Sequence, residues 1–215
     1  MDFLKLEKIA ENFMKNRRFH QYRETGSVYY HGARVARGIL QLRGLTTDDA
    51  GHDDILRCAA MFHDIAKGMK PHSYYGAMLV RDILKDELTP YEMDEVCRLI
   101  LAHGDRRPAR EVHDLWVWLI QDADVLDHVG TGEIWMSCSH SVYIGKPITD
   151  MLDWYTSGFD EQMAKYRNRL NLDVSREILD SKVDFERQFI RRLLVESTGG
   201  YIEDDVPNME NFQEA

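Results

Sequence analysis

The sequence predicts an all-α protein, and three observations lead there. Apolar residues recur at helical spacing along most of the chain. Thr89-Pro90-Tyr91-Glu92 is a capping box with proline at the first helical position. No convincing pair of strands, internal repeat or low-complexity linker interrupts the pattern.

The elements follow in order. Leu6, Ile9, Ala10, Phe13 and Met14 form the first helical stripe. Val28, His31, Val35, Ile39 and Leu42 form the second, with Ser27 expected as its cap and Gly44 as its stop. A third helix is expected from about His52 to Lys67, with Ile55, Ala59, Phe62 and Ala66 on its inner face and Gly68 at its end. A fourth starts near Ser73 and carries Met78, Leu79 and Ile83. The capping box opens a fifth through Val96, Leu99 and Ile100 toward His103. Pro108 breaks the chain. Val112, Leu115, Leu119, Ala123 and Leu126 then mark a longer helix, interrupted at Gly130 and Gly132. Residues 141–160 are mixed, with Pro147 and Gly158 as breakers. The last strong helix runs from about Ser175 to Ser197 through Ile178, Leu179, Phe189, Leu193 and Leu194. Met61, Trp116 and Phe189 on these stripes read as core packing.

Composition narrows the function. The chain has 215 residues, 44% of them hydrophobic, and a formal net charge of -10. That balance argues against a nucleic-acid polymer as partner, because phosphate backbones need a lysine and arginine footprint. A small phosphorylated substrate needs only local positive charge. Five acids (Glu203, Asp204, Asp205, Glu210, Glu214) and no Lys or Arg fall between Gly199 and Ala215, so half the net charge sits in an acidic tail expected to be flexible. Cys58, Cys97 and Cys138 are far apart, which fits a reducing compartment. The charged, amphipathic start is no signal peptide, and no apolar run approaches the ~18 residues of a membrane span. A cytoplasmic location without membrane partners is the expectation.

One local sequence carries chemistry: Ala60-Met61-Phe62-His63-Asp64-Ile65-Ala66-Lys67. Burying an imidazole and a carboxylate side by side costs several kcal/mol, roughly, unless something compensates. A divalent metal is the usual compensation. Lys67, four residues after His63, repels a bare metal but attracts an anion bound to it. His31 and Asp124 lie on the inward stripes of other helices, and His72 and His103 stand at helix ends. His20, His52, His113 and His140 read as structural or surface residues. His128 reads as a residue behind a ligand or in the core rather than a ligand. Asp127 either orients a ligand or handles protons, or else caps a helix or satisfies the core.

The order of these residues resembles the HD superfamily of metal-dependent phosphohydrolases, whose pattern is His, then His-Asp, then a distant Asp. The matching positions are His31, His63-Asp64 and Asp124, with His63-Asp64-Ile65-Ala66-Lys67 close to the family's His-Asp-Ile-Gly-Lys form. His72-Ser73-Tyr74-Tyr75-Gly76-Ala77 and Ile100-Leu101-Ala102-His103-Gly104 resemble elements of a binuclear subclass that includes HD-GYP phosphodiesterases and diadenosine-tetraphosphate hydrolases. The second adjacent histidine and the Gly-Tyr-Pro signature of HD-GYP enzymes are absent, which puts cyclic dinucleotide cleavage in doubt.

The resemblance covers about residues 25–130 and implies an HD-domain helical bundle. Helices over about 150–197 are then expected to pack on that core, making one domain over residues 1–198. It implies two divalent metal ions: His31, His63, Asp64 and Asp124 holding one, His72 and His103 with bridging Asp64 the other. Mn or Fe suits imidazole and carboxylate ligands without thiolate, with Mg, Zn, Co and Ni as other options. The implied reaction is hydrolysis of a nucleotide or other small phosphoester by a metal-bridging hydroxide, with Lys67 contacting the substrate. Arg106 and Arg107 are further candidates for substrate contact. Two rivals use the same ligand set: a di-iron oxygenase, and a non-catalytic, metal-stapled nucleotide-sensing module. A homodimer is expected only by analogy with the family.

Overall fold

The structure is a computed structural model that describes residues 1–105 and 112–202. Arg106, Arg107 and the acids of the expected tail lie outside the described residues. Among the described residues there are ten helices and no strand. They are α1 (Phe3–Met14), α2 (Ser27–Thr46), α3 (Asp53–Phe62), α4 (His72–Ile83), α5 (Pro90–Ala102), α6 (Leu115–Asp127), α7 (Thr131–Tyr143), α8 (Ile148–Ser157), α9 (Phe159–Arg169) and α10 (Asp173–Ser197). None of them is long and apolar enough to cross a membrane.

The centre of the fold is α3, whose Leu56, Cys58, Ala59, Ala60 and Phe62 are wholly buried. It packs against α1, α2, α5 and α6. It meets α2 closely at Gly32, where a Cβ would stand 2.4 Å from the Met61 carbonyl oxygen. Only glycine permits that separation, and it brings His31 of α2 to the end of α3. The fifth helix opens as expected: Thr89 accepts from the Glu92 amide, and Glu92 accepts from the Thr89 amide.

Several sequence expectations are corrected. Helix α3 stops at Phe62 instead of reaching Lys67. Beyond it the bonds tighten to the i−3 carbonyl, from Ile65 to Phe62, Lys67 to Asp64 and Met69 to Ala66. His63 Nδ1 donates to the Ala60 carbonyl oxygen, a bond that also spans three residues. The His-Asp pair therefore sits in a run of turns, where its side chains leave the helix axis. Ser27 does not cap α2; Gly26, at φ 87°, does so, while Ser27 Oγ accepts from the Phe19 amide. Gly44 lies inside α2 and stops nothing.

On α4 the inner face is Gly76, Ala77 and Val80, so the expected Met78 and Leu79 are exposed. Val112 precedes α6, whose N-cap is Asp114, and is exposed too. Gly132 is helical, so α7 follows α6 directly after Gly130, and residues 141–160 contribute α8 and the ends of α7 and α9. The C-terminal helices thus begin at Thr131. Phe189 and Leu194 of α10 face outward, while Ser175, Leu179, Val183, Glu186 and Ile190 face inward.

Candidate metal centre

Five elements deliver side chains to one point: α2 gives His31, the turns after α3 give His63 and Asp64, α4 gives His72, the end of α5 gives His103, and α6 gives Asp124. All six expected metal-site residues come together. His31, His63 and Asp64 have ligand atoms within 4.8 Å of one another, and so do Asp64, His72 and His103. Asp64 belongs to both groups. Its Oδ2 lies 3.7 Å from the Nε2 atoms of His31 and His63, and its Oδ1 lies 3.4 Å from His72 Nε2 and 3.9 Å from His103 Nε2. Asp124 Oδ1 stands 3.2 Å from His31 Nε2 and 3.6 Å from His63 Nε2.

The donor set fits a cation. A carbonyl can only accept, so Nδ1 carries the proton in His63, against Ala60 (2.7 Å), and in His103, against Ile100 (2.6 Å). In the neutral ring each Nε2 is then a bare lone pair. Yet the Nε2 atoms of His31 and His63 are 3.2 Å apart, those of His72 and His103 are 3.1 Å apart, and all face carboxylate oxygens. Acceptor against acceptor in a buried place is repulsive unless protons or metal ions lie between. His31, His63, Asp64 and His103 are all nearly inaccessible to solvent, so water cannot separate them freely.

The electrostatics agree. Burial raises the Asp64 carboxyl, but His63 and Lys67 outweigh it and hold the group below its ordinary range. Burial likewise opposes ionisation of Asp124, and the positive charge that protons or a metal ion bring among His128, His31 and His63 overcomes it. Burial, aided by His63, lowers His103 to about 4, which keeps its ring neutral and able to bind a metal.

Asp127 does not reach the ligand atoms of the cluster. Its Oδ2 accepts from His31 Nδ1 at 2.7 Å, and Arg34 grips both its oxygens at 2.8 Å. Burial raises its carboxyl, yet these partners bring it down to about 2. It acts through His31, fixing the tautomer and the direction of the ring. His128 Nε2 lies 3.6 Å from Asp124 Oδ1 and forms a third group with His31 and Asp124, closer to the centre than expected. Lys67 does not project from a helix one turn on; its Nζ lies 3.0 and 3.2 Å from the two Asp64 oxygens.

Two openings lead here. A cleft of about 280 Å³ is lined by Lys67, His72, His103, Asp124, Tyr166 and Arg169, so α9 roofs the centre. A larger cavity of about 680 Å³ runs from Lys67 and His128 between Phe19, Met136 and Trp154. His20 and His140, expected as bland residues, line it against Tyr22. His52 stacks on Trp116, and His113 lies 3.5 Å from Asp105, both away from the centre. Sequence reasoning missed Arg17, which donates to the carbonyls of Ile65 and Lys67 and so holds the turns that carry His63 and Asp64. It also missed Tyr166 and Arg169, which no motif marks and only the return of α9 brings in.

The fold and this site define a class. Residues 28–128 match the HD domain family. Solved structures agree in fold. A HD-superfamily hydrolase from Bacillus thuringiensis is 20% identical, with a TM-score of 0.64 over 92% of this chain and 99% of that one. Bacillus subtilis YpgQ in complex with ADP is 19% identical, with a TM-score of 0.60 over 94% and 98%. A predicted HD superfamily hydrolase from an uncultured Thermotogales bacterium is 18% identical, with a TM-score of 0.59 over 90% and 92%. No curated protein matches the chain.

Proposed function

We propose that this protein is a metal-dependent phosphohydrolase acting on a small phosphorylated substrate such as a nucleotide. The observation that carries the reading is the pair of histidine-carboxylate groups sharing Asp64, their bare Nε2 atoms converging beside Lys67. His31, His63, Asp64 and Asp124 would hold one divalent ion, and His72 and His103 with Asp64 a second. Mn or Fe suits this donor set best. Such ions supply Lewis acidity toward phosphoryl oxygens and an acidified water.

The protein's own groups do the rest. Asp127 holds His31 in the tautomer that presents Nε2. Lys67, its side chain 39% exposed, lines both openings, and its Nζ donates to phosphoryl oxygens and offsets their charge. Arg169 lies in the same cleft and adds a second cation. Tyr166 covers the centre and limits water. Neighbours in fold described as HD-superfamily hydrolases support hydrolysis, and the ADP complex of YpgQ supports a phosphorylated ligand.

The test is phosphate release from a nucleotide and phosphomonoester panel, run without oxygen, with added Mn²⁺ or Fe²⁺, comparing wild type with His63→Ala. Release by the wild type alone, with lower metal content in the variant, is expected. No release from any substrate, or equal release by both proteins, overturns the reading; turnover that appears only when oxygen is admitted points to an oxygenase.

A further inference from the structure

We propose that Arg23 forms a second anion site beside the metal centre, so that the substrate carries two linked anionic groups, as a diphosphate ester does. The proposal rests on the phosphohydrolase reading and deepens it. Arg23 stands in the segment between α1 and α2, and no sequence motif marks it. It is only 8% exposed, yet it lines the cavity of about 680 Å³ that also reaches Lys67 and His128. Its charge therefore faces the cavity that Lys67 and His128 border at the edge of the metal centre.

The guanidinium is poorly served there. Nη1 donates to the Sδ of Met136 at 2.8 Å, and a thioether is a weak acceptor. Nε and Nη2 reach the two oxygens of the neighbouring Glu24 at 3.3 and 3.5 Å, the long end of hydrogen bonding. A charge this deeply buried normally holds short bonds to strong acceptors. The shortfall is on the face turned to Met136, which itself lines the cavity.

A second cation shares the same wall. The Phe19 ring has Arg23 Cζ 5.8 Å from its centroid and Lys67 Nζ 5.1 Å from it. Lys67 touches Asp64, so the metal centre, Lys67, Phe19 and Arg23 follow one another along the cavity wall. A single phosphoryl group at the metals uses Lys67. A second anionic group, linked to the first, completes Arg23 by displacing the thioether contact. The plainer role for Arg23, tying its own segment to Glu24 and Met136, predicts no preference between one anionic group and two.

The experiment is calorimetric titration of the Mn²⁺-loaded protein, metal in excess, with inorganic phosphate and with methylenediphosphonate, which cannot be hydrolysed. The wild type should bind methylenediphosphonate about 10- to 100-fold more tightly than phosphate, the worth of one charge-assisted contact. Arg23→Gln should abolish that preference and leave phosphate affinity as it was. Glu24→Gln removes the competing carboxylate and should strengthen methylenediphosphonate binding severalfold, which a structural tie does not predict. Equal binding of the two probes by the wild type overturns the proposal and leaves the phosphohydrolase reading standing. A preference that survives in Arg23→Gln overturns it as well. If Arg23→Gln does not fold, Glu24→Gln decides, and no gain there overturns the proposal. Failure of both probes to bind defeats the phosphohydrolase reading and this one with it.

Discussion

At the scale of single residues, the centre depends on which nitrogen of each histidine is bare. Asp127 settles this for His31 through one short bond, with Arg34 holding the carboxylate in place. Asp127→Asn keeps an acceptor for Nδ1 but loses the charge and half of the grip by Arg34. Metal affinity should fall about 10- to 100-fold, measured by competition with a chelator. Unchanged affinity would show that His31 is held by its packing alone. Lys67→Ala should act oppositely. Removing a cation 3.0 Å from Asp64 leaves metal occupancy intact or raises it, while KM for the phosphorylated substrate should rise by about tenfold. Metal analysis of the purified variant together with steady-state kinetics separates the two effects.

At the scale of elements, the decisive contact is α2 on α3. A Cβ at Gly32 meets backbone, the Met61 carbonyl oxygen, and no rotamer change relieves it. Gly32→Ala should cost about 1–3 kcal/mol despite alanine's better helix propensity, and should weaken metal binding by displacing His31. Gly38→Ala, on the same helix with open space around it, should instead stabilise by about 0.5–1 kcal/mol. Thermal unfolding of the two variants gives shifts of opposite sign if close packing places His31. The elements were legible in different degrees. The Thr89 capping box is local chemistry, and the structure has it as written. The end of α3 was not legible, because apolar periodicity runs on through Ile65 and Ala66, both buried, while the backbone has already left the helix.

At the scale of the whole molecule, the C-terminal helices are locked to the segment that matches the HD family by polar groups in or at the edge of the core. Asp122 accepts from the amides of Asn171 and Leu172, and Lys182 donates to the carbonyls of Leu126 and Val129. Glu186 accepts from the Gly130 amide, leaving its other oxygen buried without a partner. Burial, with Glu133 near, raises Glu186 to about 7. The folded protein then keeps a proton that the unfolded chain releases above its ordinary value of 4.5. This contribution to stability is present below that value and is lost as pH rises through about 7. Glu186→Gln should flatten that part of the profile, so that its Tm gains on the wild type between pH 5 and pH 8. Parallel curves would show that Glu186 does not titrate there.

The helical class, the spaced order of His31, His63-Asp64, His72, His103 and Asp124, and the neighbouring Lys67 were all legible in the sequence. The helical class rests on apolar spacing that a helix converts into a face; the ligand order rests on residue type and its resemblance to the HD pattern, since His63, Asp64 and Lys67 stand in turns beyond α3. What only the tertiary structure decided lies across long separations. Asp122 and Asp124 look alike in the sequence as acids on one helix, yet one binds the backbone of the α9–α10 link and the other faces the histidines. Arg17, Arg23, Tyr166 and Arg169 acquire their places from chain returns that no local pattern encodes. Side-chain periodicity reports which face of a helix is inward; it carries no information about what that face will meet.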